Sequence, residues 1–168
     1  MSGSATVPVI TREDDLSILP EGFALLVDKP KGLSSFAVIK KLRRVFGIRK
    51  MGHAGTLDPM ATGLLVVLVG RKATREQDLF MGLPKVYSGT IRLGQTTASY
   101  DAETVVEQEA SIEHLTDSDL ETARQKFVGD IEQFPPIYSA IKVGGERLYK
   151  KARRGETAES VPLKSRIV

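Results

Sequence analysis

Between Arg49 and Gly63 the chain reads Arg-Lys-Met-Gly-His-Ala-Gly-Thr-Leu-Asp-Pro-Met-Ala-Thr-Gly, which sets a histidine and a carboxylate among small residues. Asp58 is the first candidate for chemistry. A carboxylate can attack an electrophilic carbon as a covalent nucleophile, or stabilise positive charge developing on a sugar as a glycosidic bond breaks. Gly52, Ala54 and Gly55 let a backbone approach a ligand closely, and Pro59 biases Asp58 away from the helical region. Taken alone, an Asp-Pro pair serves an Asx-turn as readily as catalysis. Its company favours chemistry: His53 and Thr56 precede it, a basic segment leads in, and a strongly apolar run leads out. His53 could stack on a base or bond a phosphate, and Tyr87 offers a flat face and a hydroxyl to an extruded base, though both residue types are also at home in a core. His114 stands in an acidic stretch and reads as exposed, while Met51, Met60 and Met81 lack ligand spacing and read as packing.

The elements that must position these groups follow from periodicity and punctuation. Phe23 to Val27 reads as a short buried strand, stopped by Lys29-Pro-Lys-Gly32. Ser34 or Ser35 caps a helix whose apolar residues Phe36, Ile39, Leu42 and Phe46 fall near one face, with Gly47 as its stop. Leu64 to Val69, rich in branched residues and bounded by glycines, reads as a central strand buried on both faces. Thr74 to Met81 reads as a short helix ended near Gly82, and Lys85 to Leu93 alternates like a strand with one polar face. Gly94 to Glu103 is a polar loop. Thr116 caps a peripheral helix running through Val128, with Leu120, Ala123 and Phe127 as its apolar stripe. Phe134 to Lys142 reads as an extended approach and strand, Gly144-Gly145 as a turn, and Glu146 to Arg153 as a short basic helix. Pro162 to Val168 looks like an incoming strand that stops mid-pattern, and residues 1–20 lack periodicity and read as a flexible arm.

At 168 residues the chain is long enough for one domain with a hydrophobic core, and no window approaches the apolar length of a membrane helix. With no cysteine and only two histidines, far apart, neither a disulfide framework nor a structural metal is expected. The N-terminus has no apolar signal core, so the expected location is cytoplasmic, with an organelle as the alternative. Net charge is only +3, but Lys29, Lys31, Lys40, Lys41, Arg43, Arg44, Arg49 and Lys50 run without an intervening acid, and Lys142 to Arg154 form a second basic cluster. Acids dominate from Asp101 to Glu132. Such segregation points to one basic face for a polyanion.

Gly52-His-Ala-Gly-Thr-Leu-Asp-Pro-Met-Ala-Thr-Gly63 resembles the signature of the TruB-type tRNA pseudouridine synthases. Further ordered blocks agree: Asp28-Lys-Pro-Lys-Gly-Leu-Ser34, Lys85-Val-Tyr87 with Leu93-Gly-Gln-Thr-Thr-Ala-Ser-Tyr-Asp101, and Phe134-Pro-Pro-Ile-Tyr-Ser-Ala-Ile-Lys142. The resemblance implies an α+β fold, a mixed, largely antiparallel sheet flanked by helices. It also implies isomerisation of uridine to pseudouridine in the T stem-loop of tRNA, without a cofactor, by a monomer. Asp58 becomes the catalytic aspartate, His53 belongs to the loop that displaces the base, and Tyr87 stacks on the flipped uracil. Lys29, Arg43, Arg44 and Lys142 are candidates for the RNA backbone. On this reading residues 21–168 are the N-terminal part of a catalytic domain incomplete at its C-terminus, where an arginine pairing with the aspartate is expected to follow.

A rival reading of another class is a non-catalytic RNA-binding module, since Gly52-His-Ala-Gly55 is formally a GxxG loop after a basic helix. Such a loop joins two helices when it clamps a phosphate backbone. A nucleotide-binding loop at Gly70-Arg-Lys-Ala-Thr lacks the required glycine and lysine order.

Overall fold

Two strands that buried branched residues favour form the centre of the first unit: β2, Phe23–Lys29, and β4, Gly63–Val69. They pair antiparallel along their whole length, from Phe23 opposite Val69 to Lys29 opposite Gly63. The computed structural model describes residues 7–11, 14, 19–134, 137–139, 141–152, 154–156 and 166–167. Contacts divide the chain into two units, Met1–Ser88 and Gly89–Val168. In the first, β1 (Val9–Ile10) and β3 (Met51–His53) complete a sheet in the order β1-β2-β4-β3, parallel only between β1 and β2.

The pleat sends Phe23, Leu25 and Val27 of β2 and Leu65, Val67 and Val69 of β4 to one face. Helix α1, Ser35–Phe46, covers that face with Val38, Ile39, Leu42 and Phe46, the last edge-on to Phe23 with ring centroids 6.1 Å apart. Ser34 caps it, accepting from the Ala37 N–H, and Gly47 ends it in the left-handed region. The expected stripe needs one correction. Phe36 is half exposed and Val38 takes the buried position, because the face toward the sheet is set by Ser35, Val38 and Ile39.

The opposite face carries Ala24 and Leu68, closed by Ala73 of α2 (Gly70–Arg75). Gly70 adopts φ +84, and a Cβ there would run into the Glu21 carbonyl, so the strand-to-helix corner admits no side chain. Because α2 is one short turn and more, it shields only the far end of β4. Leu64 and Leu26 therefore remain exposed, and burial on both faces holds only for the Val67–Val69 end. The helix expected from Thr74 to Met81 is broken at Glu76 into α2 and α3, Gln77–Met81.

Within the stretch read as a flexible arm, Val9–Ile10 pairs as an edge strand, with Ile10 in the core and the Ala24 N–H bonded to the Pro8 carbonyl at 2.7 Å; most of the rest of that stretch lies outside the described residues. The alternating stretch Lys85 to Leu93 forms no strand: no ladder partner lies beside it among the described residues, and Val86 and Ile91 stand in solvent.

In the second unit, β5 (Gln95–Thr97) pairs antiparallel with β6 (Val106–Glu109), so part of the expected polar loop is strand. Helix α4, Asp117–Gln125, carries a full capping box between Thr116 and Asp119 and stops short of Val128, leaving Leu120 and Phe127 exposed. Glu132–Gln133 (β7) pairs antiparallel with Arg166–Ile167 (β10); the other residues of the expected C-terminal strand lie outside the described residues. The Gly144-Gly145 turn is as expected: φ +62 and +83 join β8 (Lys142–Val143) to β9 (Glu146–Arg147) in the geometry only glycine-like residues take readily. The basic helix shrinks to α5, Leu148–Ala152, which packs Leu148 and Ala152 on Ile137; Arg153 lies outside the described residues. The class is mixed α+β with largely antiparallel sheets.

Candidate active site

The segment from Ala54 to Thr62 connects the edge strand β3 to the central strand β4, so both its ends are fixed by the sheet. The Ala54 N–H extends the ladder to the Val66 carbonyl at 2.9 Å. His53 then folds onto the turn: its Nδ1 lies 2.6 Å from the Gly55 carbonyl oxygen. A carbonyl only accepts, so Nδ1 is the donor in this contact. Gln77 of α3 donates to the His53 carbonyl at 3.2 Å, and Arg43 of α1 donates through Nη2 to the Met51 carbonyl at 3.0 Å.

Asp58 starts a turn of its own, its carbonyl accepting from the Ala61 N–H at 3.1 Å with Pro59 in the second position, where a preset φ suits the bend. The residues on either side are held from across the fold. The Ser35 hydroxyl donates to the Leu57 carbonyl and accepts from the Leu57 N–H, both at 3.0 Å. The Pro59 carbonyl accepts from the Gly32 N–H at 2.7 Å and from Lys29 Nζ at 3.4 Å. Between these anchors the Asp58 side chain is exposed, and among the described residues its carboxylate makes no hydrogen bond or ion pair.

Sequence reasoning placed Lys29 on an RNA phosphate; the structure puts it elsewhere. Lys29 is fully buried on the α1 side of the sheet, and its ammonium donates to the carbonyls of Leu33 at 2.7 Å, Pro30 at 3.1 Å and Pro59. Turned inward under the 30–33 turn, it ties that turn to the Asp58 segment and has no face for a polyanion. Arg43 is half-buried by its bond to β3, whereas Arg44 is exposed. Exposed Phe36 carries Lys40 Nζ 5.2 Å and the Arg43 guanidinium carbon 5.9 Å from its ring centroid, a stripe of aromatic and cationic groups spaced along one helix. Tyr87 lies exposed in the irregular stretch after α3, and Lys142 is exposed in β8 of the second unit.

His53 and Asp58 thus share one anchored segment, whereas Tyr87 belongs to the stretch after α3 and Lys142 to the second unit. The anchors themselves, Gly32, Ser35 and buried Lys29, were missed as such. Their signal was present in Lys29-Pro-Lys-Gly32 and Ser34-Ser35, which resemble a turn and a helix cap and conceal a long-range partner. The GxxG reading fails on topology: Gly52 and His53 belong to β3, not to a helix–helix corner. Lys85 adds a last restraint, its Nζ closing the end of α3 on the Met81 and Leu83 carbonyls at 2.6 and 2.7 Å.

Comparison with known proteins gives the family. The family model of the TruB family pseudouridylate synthase N-terminal domain matches residues 43–168. The chain is 49% identical over 146 residues to a tRNA pseudouridine synthase B of Mycobacterium sp. (strain KMS), covering 87% of this chain and 49% of that protein. It is 48% identical over 144 residues to the tRNA pseudouridine synthase B of Mycobacterium bovis (strain BCG / Pasteur 1173P2), with 86% and 47% covered. Against that of Mycobacteroides abscessus it is 49% identical over 143 residues, with 85% and 48% covered. The chain spans about half the length of the curated relatives it matches. The family model, matched over residues 43–168 and so over the whole Asp58 segment, places the protein in the TruB family of pseudouridylate synthases.

Proposed function

We propose that the chain carries the uridine-isomerising chemistry of its family and acts in the cytoplasm, as a monomer, on the T stem-loop of tRNA. Isomerisation breaks the C1′–N1 bond, turns the uracil, joins C1′ to C5 and returns the C5 proton to solvent while N1 gains one. Atoms balance without a redox partner. Asp58 is the group that meets the sugar, either attacking C1′ or stabilising the positive charge that develops there. The observation that carries this reading is the exposed carboxylate between two peptides held from across the fold, since a group that must meet a reacting carbon needs access and fixed aim together.

The remaining residues take supporting roles. His53, its Nδ1 bonded to the Gly55 carbonyl, fills the gap left by the extruded base, and Tyr87 stacks on the flipped uracil. The exposed cations of α1 along the Phe36–Lys40–Arg43 stripe, with Arg44, take RNA phosphates, and Lys142 is a further backbone candidate. Lys29 is withdrawn from that set.

The test is a T-stem-loop RNA tritiated at uridine C5, incubated with the chain and with Asp58→Asn. Tritium release by the parent and none by the variant, with RNA affinity retained, is the expected result. Equal release by both removes Asp58 from the chemistry, and tight binding without release from either returns the protein to a binding role.

A further inference from the structure

One buried hydroxyl is used by neither the helix it sits on nor the proposed chemistry. Ser35 is 2% exposed and opens α1, yet capping of that helix belongs to its neighbour: Ser34 accepts the Ala37 N–H at 3.2 Å. The Ser35 hydroxyl instead reaches 22 positions along the chain to a single residue, donating to the Leu57 carbonyl and accepting from its N–H. A helix-opening serine does not need this. Its own backbone demands are met without it, and burying a hydroxyl is costly unless it is bonded.

The consequence falls on the next residue. With both polar backbone atoms of Leu57 held by one rigid oxygen, neither peptide plane around Leu57 can rotate without breaking a bond, and the second of those planes carries Asp58. Pro59 is fixed from the other side by Gly32 and Lys29. Without Ser35 the nearest upstream hold on Asp58 would be the closure of His53 onto Gly55, three residues back, and the carboxylate could swing about the Leu57–Asp58 link.

We propose that Ser35 is a positioning residue for the reaction: its hydroxyl clamps Leu57 and thereby aims the Asp58 carboxylate at the sugar. The inference rests on the reading of Asp58 as the reacting group. Ser35 itself touches no substrate, so its loss costs rate at bound substrate rather than affinity. A displacement of about one ångström at a reacting group costs on the order of a hundredfold in rate, which sets the upper scale for the effect.

The experiment compares the parent chain with Ser35→Ala, Ser34→Ala and Asp58→Asn on the C5-tritiated T-stem-loop, reading single-turnover rate at saturating RNA, RNA affinity and melting temperature. Ser35→Ala is expected to slow the rate by about ten- to a hundredfold with affinity within about twofold of the parent. Ser34→Ala removes the cap but not the clamp, so it lowers the melting temperature and keeps the rate. Amide exchange at Leu57, read by NMR, gives an arm independent of turnover: protection falls in Ser35→Ala. Full rate in Ser35→Ala, a rate loss matched by weakened affinity, an equal slowing in Ser34→Ala, or unchanged Leu57 protection each overturns the role of Ser35. Release by Asp58→Asn at the parent's rate overturns the reading of Asp58 instead, so the two failures are told apart.

Discussion

Replacing Lys29 by methionine separates two roles for one positive charge: a phosphate contact and an internal clamp. The side chain is fully buried and donates to the carbonyls of Leu33, Pro30 and Pro59. Pro59 retains the Gly32 N–H when the ammonium is gone, so the variant strips the lysine bond from a pair of carbonyls, those of Pro30 and Leu33. A hydrogen bond from a charged group contributes about 1.5–3 kcal/mol, giving about 3–6 kcal/mol of gross loss for these two part-buried bonds. Methionine avoids desolvating an ammonium and fills similar volume, which returns part of this, so the expected net destabilisation is about 2–4 kcal/mol. Against a typical domain stability of about 5–15 kcal/mol that is a large fraction. Urea unfolding should show a lowered midpoint at unchanged slope. RNA binding, measured under conditions where the variant is folded, should keep the parent's salt dependence. Arg44→Ala, by contrast, should flatten that dependence by roughly one unit of slope, because one phosphate is no longer neutralised. A Lys29→Met chain as stable as the parent, with a flattened salt slope, would refute the internal clamp and restore the phosphate reading.

Gly70→Ala should destabilise by about 2–5 kcal/mol in the same assay, summing left-handed strain and a backbone clash with the Glu21 carbonyl that no side-chain movement can relieve; a loss under about 0.5 kcal/mol would contradict the corner geometry. In the second unit, the Arg154 guanidinium donates to Glu146 at 2.6 and 2.8 Å and to Glu156 at 2.7 Å, and holds both carboxyls below the ordinary glutamate range. Because their folded pKa values are lowered, this contribution is present above the ordinary glutamate pKa and is lost as pH falls through the lowered values. Carbon-detected NMR titration should place both midpoints low and move them up in Arg154→Ala, and midpoints at the ordinary value in the parent would mean the ion pairs do not form in solution.

Much of the first unit was legible because local chemistry and tertiary packing agree there. Ser34 and Gly47 bracket α1 as cap and stop, and the branched run of β4 leaves few alternatives to a central strand. Errors arose where a local pattern needs a distant partner. Lys85 to Leu93 alternates as a strand should, but alternation describes faces and does not supply a ladder, and the stretch stays irregular. Val9–Ile10 went the other way: two residues too short to show a period became an edge strand because β2 offered an open edge. Lys29 was misread for a related reason. A lysine between a strand and a glycine turn looks solvent-directed, and only the fold brings enough carbonyls together to hold a buried ammonium.

The Asp58 segment shows why the chemistry was easier to find than its supports. Residue types that react are few, so a carboxylate in a Gly-rich stretch draws attention from sequence alone. What makes it usable is a set of bonds that carry no sequence signature of their own. Asp-Pro starts a turn by local means, His53 closes onto Gly55 two residues away, and then Ser35 of α1 and Lys29 of β2 reach in from distant positions in the chain. Local bonds shape the turn but cannot orient it, because a turn with free ends moves as a body. Long-range bonds on both flanks convert shape into direction. It follows that substitutions at Ser35 or Lys29 should separate folding from aim: Lys29, with its several carbonyls, chiefly sustains the fold, whereas Ser35, bonded to Leu57 alone, chiefly sustains the orientation of Asp58.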